Sequence, residues 1–241
     1  LYTSLNNKDL KILDCSWYLP NLGKNGKEEY IKERIPDSIY FDIDKFSDID
    51  CPYPHTLLSN EKFSEKLGKL GVQNNNHLIV YDAFGIFSSS RAWWMFKSYG
   101  HKKVSILDGG LKKWKLDKLP IEKGNPKIIS PTFYKANLTR ENIVSYDDVK
   151  KNITKQKFVL VDARPSGRFD GTSPEPRKEI KSGSIPNSIN IPYTDLVDQV
   201  TGCYKKKEEL QKIFNKNKID EKTNVVFSCG SGVTACLIGK A

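Results

Sequence analysis

Two stretches 150 residues apart, Ile35-Pro36-Asp37-Ser38-Ile39 and Ile185-Pro186-Asn187-Ser188-Ile189, are near-copies of each other. A self-match at a fixed spacing means that one structural unit has been built twice. The residues around the match keep step with it. Lys11 to Asp14 and Phe158 to Asp162 are short apolar runs that end in an acid and read as strands, and each near-copy leads into another strand-like run. Each half then carries an amphipathic helix pattern. Ser59 to Leu70 sets Phe63, Leu67 and Leu70 at helical spacing and closes on Gly71, and Lys206 to Phe214 sets Leu210, Ile213 and Phe214 in the same way. A further strand follows in both halves, His77 to Tyr81 ending at Asp82 and Asn224 to Ser228 ending at Cys229. From the opening acid to that end residue is 68 residues in the first copy and 67 in the second. Asp82 therefore stands where the second copy has a thiol, and the first copy is expected to be catalytically silent.

Strands alternating with helices at this spacing imply an α/β fold in which each copy is a parallel sheet with helices on both faces. The expected organisation is two tandem domains, 1–130 and 131–241. A linker at about 117–141 joins them, where Pro120, Gly124, Pro126 and Pro131 interrupt any periodicity. Domains of this size can each bury a core. The first copy continues past Asp82 through a helix (Ser88 to Tyr99), a strand (Val104 to Leu107) and Gly109-Gly110 into Leu111 to Trp114, whereas 12 residues follow Cys229. By the repeat, roughly 25 further residues of the second domain, including a strand and most of a helix, are expected beyond the sequence given.

Composition narrows the partners. Hydrophobic residues make up 38% of the chain, charge interrupts every window of membrane-spanning length, and there is no apolar N-terminal run. A soluble protein with no membrane partner is expected. The net charge of +10 comes from scattered lysines, of which Lys205 to Lys207 is the only run of three. Solvated surface lysine that helps to attract a small anion fits better than nucleic-acid binding. Five widely spaced cysteines, Cys15, Cys51, Cys203, Cys229 and Cys236, form no C-x-x-C pair, which argues against a disulfide scaffold or a zinc site. A reducing compartment follows, and a chain that begins at Leu1 is compatible with either the cytoplasm or, after removal of a leader, the mitochondrion.

The stretch Asn224 to Ala241 carries the chemistry. A β-branched run delivers Cys229 into Gly230-Ser231-Gly232-Val233-Thr234, after which a small-residue helix pattern begins. Glycines in that loop allow backbone conformations in which successive N–H groups turn towards one point, and such groups favour an anionic sulfur. An inert, packed cysteine is the competing reading. Ligands in such sheets sit at the carboxyl ends of the strands, which is where Cys229 falls.

The loop CGSGVTA from Cys229 to Ala235, preceded by Gly167-Arg168-Phe169-Asp170-Gly171 and Glu175-Pro176-Arg177, resembles the two-domain rhodanese family. So do Phe41-Asp42-Ile43-Asp44, Pro52-Tyr53-Pro54-His55, Arg91-Ala92-Trp93-Trp94-Met95-Phe96, Leu107-Asp108-Gly109-Gly110 and Ser182-Gly183-Ser184-Ile185-Pro186. The resemblance implies two rhodanese-like domains and a sulfurtransferase that takes sulfur from 3-mercaptopyruvate, releases pyruvate and holds the sulfur on Cys229 as a persulfide. The acceptor would be cyanide or a thiol, thioredoxin among them, and no cofactor is implied. It further implies that Arg168 and Arg177 bind the keto acid, that the loop residues Gly230, Gly232, Val233 and Thr234 line the site, and that Asp44, His55 and Ser231 form a relay assisting proton transfer. Arginine suits the carboxylate because its planar fork pairs bidentately. Relatives that use thiosulfate usually carry basic side chains within the loop, where this chain has Gly230 and Ser231. A cysteine phosphatase would need an arginine at the sixth position after the thiol, and that position is Ala235. A degenerate pair acting only as an interaction module would not need Cys229 and both arginines.

Overall fold

The computed structural model describes every residue except Asn6, Lys8, Lys178 and Glu179. The chain folds as two compact units, the first made of Leu1–Arg140 with Val200–Cys203 and the second of Glu141–Gln199 with Tyr204–Ala241.

The first unit is built on four parallel strands, β1 (Leu10–Asp14), β2 (Ile39–Tyr40), β3 (His77–Tyr81) and β4 (Val104–Ile106), in the order β2-β1-β3-β4. Pairing of Asp14 with both Tyr40 and Tyr81 brings the carboxyl ends of the three strands to one edge. Helices α1 (Gly26–Lys32), α2 (Asn60–Lys69) and α3 (Ser88–Ser98) lie on the three crossovers that parallel strands require, and α4 (Gly110–Leu116) follows β4. Helix α2 starts where Ser59 Oγ accepts the Lys62 N–H at 3.3 Å, and it stops at Leu70, with Gly71 left-handed beyond it. It buries Phe63, whose ring stacks on Tyr99 at 3.6 Å between centroids, within an aromatic group that includes Phe41, Phe46 and Phe96. On α3, Met95 and Phe96 are fully buried in this core, whereas Trp93 and Trp94 are half-buried.

The second unit follows the same plan. After α5 (Tyr146–Lys155) come β5 (Val159–Asp162), the single-turn α6 (Ser166–Phe169), β6 (Ile189–Asn190), α7 (Lys207–Lys216), β7 (Val225–Ser228) and α8 (Thr234–Lys240). The strands are parallel in the order β6-β5-β7, and Asp162 pairs with Ser228, which places Cys229 one residue beyond the sheet edge. Leu237 and Ile238 of α8 join Val161, Ile191, Leu196 and Leu210 in the core.

The near-copied pentapeptides are turns that aim β2 and β6 at the sheet. Asp37 and Asn187 both take a left-handed backbone, at φ 58° and 63°, and Ser38 and Ser188 donate their N–H groups back to Ile35 and Ile185. Asp and Asn tolerate that conformation better than other residues with a Cβ, which explains why the repeat keeps this pair of types at its centre.

The division between the units falls at Arg140, ten residues beyond the boundary near 130 expected from proline content. The reason lies in hydrogen bonding. Thr132 N donates to Gly68 O at 2.8 Å, Ala136 N to Ser64 Oγ at 2.9 Å and Leu138 N to Asn60 Oδ1 at 2.7 Å, so this aperiodic segment is laid along α2. Its Tyr134 is buried and stacks on His101.

The opening acids of the two copies differ in their surroundings. Each accepts the N–H of the residue two positions on, Ser16 N to Asp14 Oδ1 and Arg164 N to Asp162 Oδ1, both at 2.9 Å. In the second unit the Arg164 guanidinium also grips Asp162, whereas serine holds that position in the first. Burial pushes the Asp14 carboxyl up to about 6 against the hydrogen bonds from Ser16, with Asp82 adding a smaller push in the same direction. Because the folded pKa lies above the unfolded one, Asp14 favours the folded state below about pH 4 and this contribution is lost as pH rises towards 6. Asp14→Asn, which keeps an acceptor for Ser16 N, should therefore match wild type near pH 4 and exceed it by roughly 3 kcal/mol at pH 7.5. Urea unfolding at the two pH values checks this, and an equal difference at both would refute it.

Candidate active site

The thiol of Cys229 lies at the carboxyl end of β7, at the mouth of the loop that begins α8. Gly232 has φ 76°, and its N–H donates to Cys229 Sγ at 3.1 Å. The first unit has the same device at Asp82, where Gly85, also three residues on and also at positive φ, donates its N–H to Oδ1 at 3.0 Å. Around Asp82 the cradle is complete. Oδ1 further accepts Phe84 N at 2.9 Å, and Oδ2 accepts Phe87 N, Ser89 N and Ser89 Oγ at 2.7, 2.8 and 2.7 Å. A strand end followed by this loop is therefore built to hold an anion. The protein supplies that anion itself in the first unit and offers a sulfur in the second.

The two loop glycines have different jobs. Gly232 supplies the left-handed turn that an L side chain would strain. Gly230 is not at positive φ; a Cβ there would lie 2.9 Å from Arg168 Nη2 and would displace the tip of that arginine. Arg177 Nη2 donates to the Gly230 carbonyl. Both sequence-predicted arginines thus converge on the residue next to the thiol. Val233 is buried at the start of α8, and Thr234 is the first helical residue. Cys236 Sγ donates to Gly232 O at 3.1 Å, so it packs beneath the loop.

Arg168 is held from behind. Glu175, whose side chain is almost fully buried, accepts Arg168 Nε at 3.1 Å on Oε1 and Nη2 at 2.6 Å on Oε2. Oε1 also accepts Arg164 Nη1 at 2.7 Å. Arg168, followed by Arg164, holds the Glu175 carboxyl below the usual carboxylate range, so it is a fixed negative charge. Sequence reasoning quoted Glu175 as part of a motif but gave it no role, and it gave Arg164 none. The signal for Arg164 is its place two residues after a strand-end acid, which puts both side chains on the same side of an extended chain.

Asp44 and His55 belong to the first unit and Ser231 to the second. Asp44 Oδ1 and His55 Nε2 are 2.9 Å apart, and Asp44 Oδ2 accepts Trp17 Nε1 at 2.9 Å. His55, followed by Trp17, holds the Asp44 carboxyl below its usual range. His55 is buried with φ 58°, an unusual backbone for histidine, and Arg91 Nη2 ties down its carbonyl at 2.5 Å. Trp17 contacts the histidine ring edge-on at 5.3 Å between centroids. Neither Trp17 nor the tie from Arg91 is visible from spacing.

Two other cysteines show why Cys229 is the one to consider. Cys15 also follows a strand, but it is fully buried, its Sγ donates to Leu13 O at 3.6 Å, and burial pushes its thiol well up. Cys51 lies in the irregular segment between Ser47 and Leu57, where Thr56 Oγ1 donates to it at 3.2 Å. A cavity of about 410 Å³ in the first unit, lined by Asp14, Ser16, Tyr18, Phe84 and Lys112 among others, contains neither a thiol nor an arginine. No helix among the described residues is long and apolar enough to cross a membrane.

Comparison with known proteins agrees with this arrangement of two sheets. The rhodanese-like domain model matches residues 1–117 and 145–241, and the chain belongs to that family. Over 229 residues it is 44% identical to the 3-mercaptopyruvate sulfurtransferase of Homo sapiens, covering 94% of this chain and 76% of that one. It is 37% identical over 235 residues to the thiosulfate sulfurtransferase of Rattus norvegicus, covering 96% and 78%. Among solved structures, the crystal structure of SseA from Escherichia coli superposes with a TM-score of 0.88 at 35% identity, covering 98% of this chain and 88% of that one.

Proposed function

We propose that this protein is a sulfurtransferase that takes sulfur from 3-mercaptopyruvate, carries it as a persulfide on Cys229 and passes it to a thiol acceptor or cyanide. The Cys229 sulfur attacks the sulfur of the donor. An S–S bond forms, the donor's C–S bond breaks, and its electron pair leaves on carbon as the enolate of pyruvate, which takes up a proton. The N–H of Gly232 donates to the attacking sulfur, and the negative charge that develops on the donor as its C–S bond breaks falls on the enolate, within reach of cationic side chains. Arg168 and Arg177 bind the carboxylate and carbonyl of the keto acid. Asp44, His55 and Ser231 are assigned to proton transfer, with Asp44 fixing the histidine. Thioredoxin or small thiols are the acceptors, and the compartment is cytoplasmic or mitochondrial.

The observation that carries this reading is the convergence of two arginines on Gly230. A loop with no charged side chain leaves the donor's charge to arginines that come from outside the loop. A basic residue at position 230 would instead compete with Arg168 for the same space, which suits a different donor. The test is intact-mass measurement of the protein after brief exposure to each donor. 3-Mercaptopyruvate should add one sulfur atom at Cys229 faster than thiosulfate does. Faster loading by thiosulfate would overturn the donor assignment, and no loading from either would overturn the enzyme.

A further inference from the structure

We infer that Glu175 is a positioning residue that sets the donor-binding arginine Arg168 over the thiol loop, with Arg164 and Asp162 as its anchor. This rests on the reading of Arg168 as a donor-binding group. Arg168 stands on the single turn of α6, and nothing in so short a helix fixes the far end of an arginine. The fixing comes from Glu175, which takes the Nε and Nη2 edge of the guanidinium with both carboxylate oxygens. A bidentate grip of this kind sets the plane of the fork as well as its place.

Glu175 is itself immobilised. Arg164 Nη1 reaches its Oε1 at 2.7 Å, while Arg164 Nε lies 3.0 Å from both oxygens of Asp162 and Nη2 lies 2.7 Å from Oδ2. Arg164 Nη2 also donates to Gly183 O at 2.8 Å. The chain of contacts runs from the end of β5 through Arg164 and Glu175 to Arg168, and so ties the arginine to the sheet that also carries Cys229. Since Arg168 Nη2 sits 2.9 Å from the missing Cβ of Gly230, a small swing of the fork changes what lies beside the thiol. Glu175 remains ionised between two arginines, which rules it out as the proton donor and leaves orientation as its role.

The two half-reactions separate this role from general structural support. Glu175→Gln keeps size but presents an amide N–H to an arginine donor, so half of the grip is lost. Loading of Cys229 from 3-mercaptopyruvate should slow by about 30-fold or more in kcat/KM, mostly through KM, because the group lost binds donor. Discharge of a preloaded persulfide to cyanide should stay within about twofold of wild type, since the keto acid has left by then. Glu175→Asp, which keeps the charge with a shorter reach, should recover part of the loading. Wild-type KM for 3-mercaptopyruvate in Glu175→Gln would overturn the proposal, and so would equal slowing of loading and discharge. Wild-type protein that takes no sulfur from 3-mercaptopyruvate would defeat the donor assignment instead. The same comparison made with thiosulfate would then decide: a loading defect confined to the variant supports positioning, and equal loading refutes it.

Discussion

Cys229→Ser should abolish sulfur loading, with the mass increment from 3-mercaptopyruvate absent and steady-state transfer reduced by about 10³-fold or more. The expected loss is this large because the residue forms the covalent bond of the intermediate. A serine oxygen in the same cradle would still accept the Gly232 N–H, so the loop and the fold should survive, but it neither attacks sulfur at neutral pH nor holds it. The neighbouring thiol provides the control. Cys236→Ser keeps a donor for Gly232 O and should leave loading close to wild type, because that sulfur faces a carbonyl and not an N–H donor. A sulfur increment that persists in Cys229→Ser and disappears in Cys236→Ser would reverse the assignment of the carrier.

Much of the fold is legible in the sequence because the repeat constrains it twice over. A single strand-like run such as Phe158 to Asp162 is weak evidence alone. The same run at the same distance from a matching turn and a matching strand end is strong. The repeat implies parallel sheets but not the strand order: β1 pairs with β3 and β5 with β7 although β2 and β6 come between them in sequence. The extent of the first unit was harder to read. Prolines mark a change of direction and say nothing about where the chain goes next, and the segment after Pro131 returns to α2 through hydrogen bonds between residues more than sixty positions apart.

At the site, the sequence reveals residues whose chemistry is rare and whose neighbours are local. Cys229 with its glycines is of that kind. What it hides are the supports. Glu175 lies 7 residues from Arg168 and 11 from Arg164 in a segment with no helical or strand period, so no spacing rule joins them. Trp17 reaches Asp44 across 27 residues. The division of labour between the loop glycines is hidden for another reason: the letter is the same whether glycine is required for its φ, as at Gly232, or leaves room for the tip of a neighbouring side chain, as at Gly230. Only the position of Arg168 Nη2 separates the two.

Asp82→Ala should destabilise the first unit by about 4 kcal/mol or more, among the largest losses expected of any single substitution outside the catalytic loop. Asp82 is fully buried and takes four backbone N–H groups and the Ser89 hydroxyl. Alanine leaves those donors aimed at an empty centre, and an unpaired buried donor costs about 1–3 kcal/mol before the loop relaxes or admits water. Asp82→Asn should also be costly. Its carbonyl oxygen can serve the Phe84 and Gly85 donors, but its NH₂ group then faces Phe87 N and Ser89 N, donor against donor. Loading of Cys229 measured well below the lowered melting temperature should be retained, since Asp82 touches no reacting atom. Chemical unfolding within about 1 kcal/mol of wild type for both variants would show that the carboxylate is not what organises the loop. A large loss would mean that the inward N–H array is stable only around an anion. In the second unit the Cys229 sulfur takes the place of that carboxylate and accepts the Gly232 N–H.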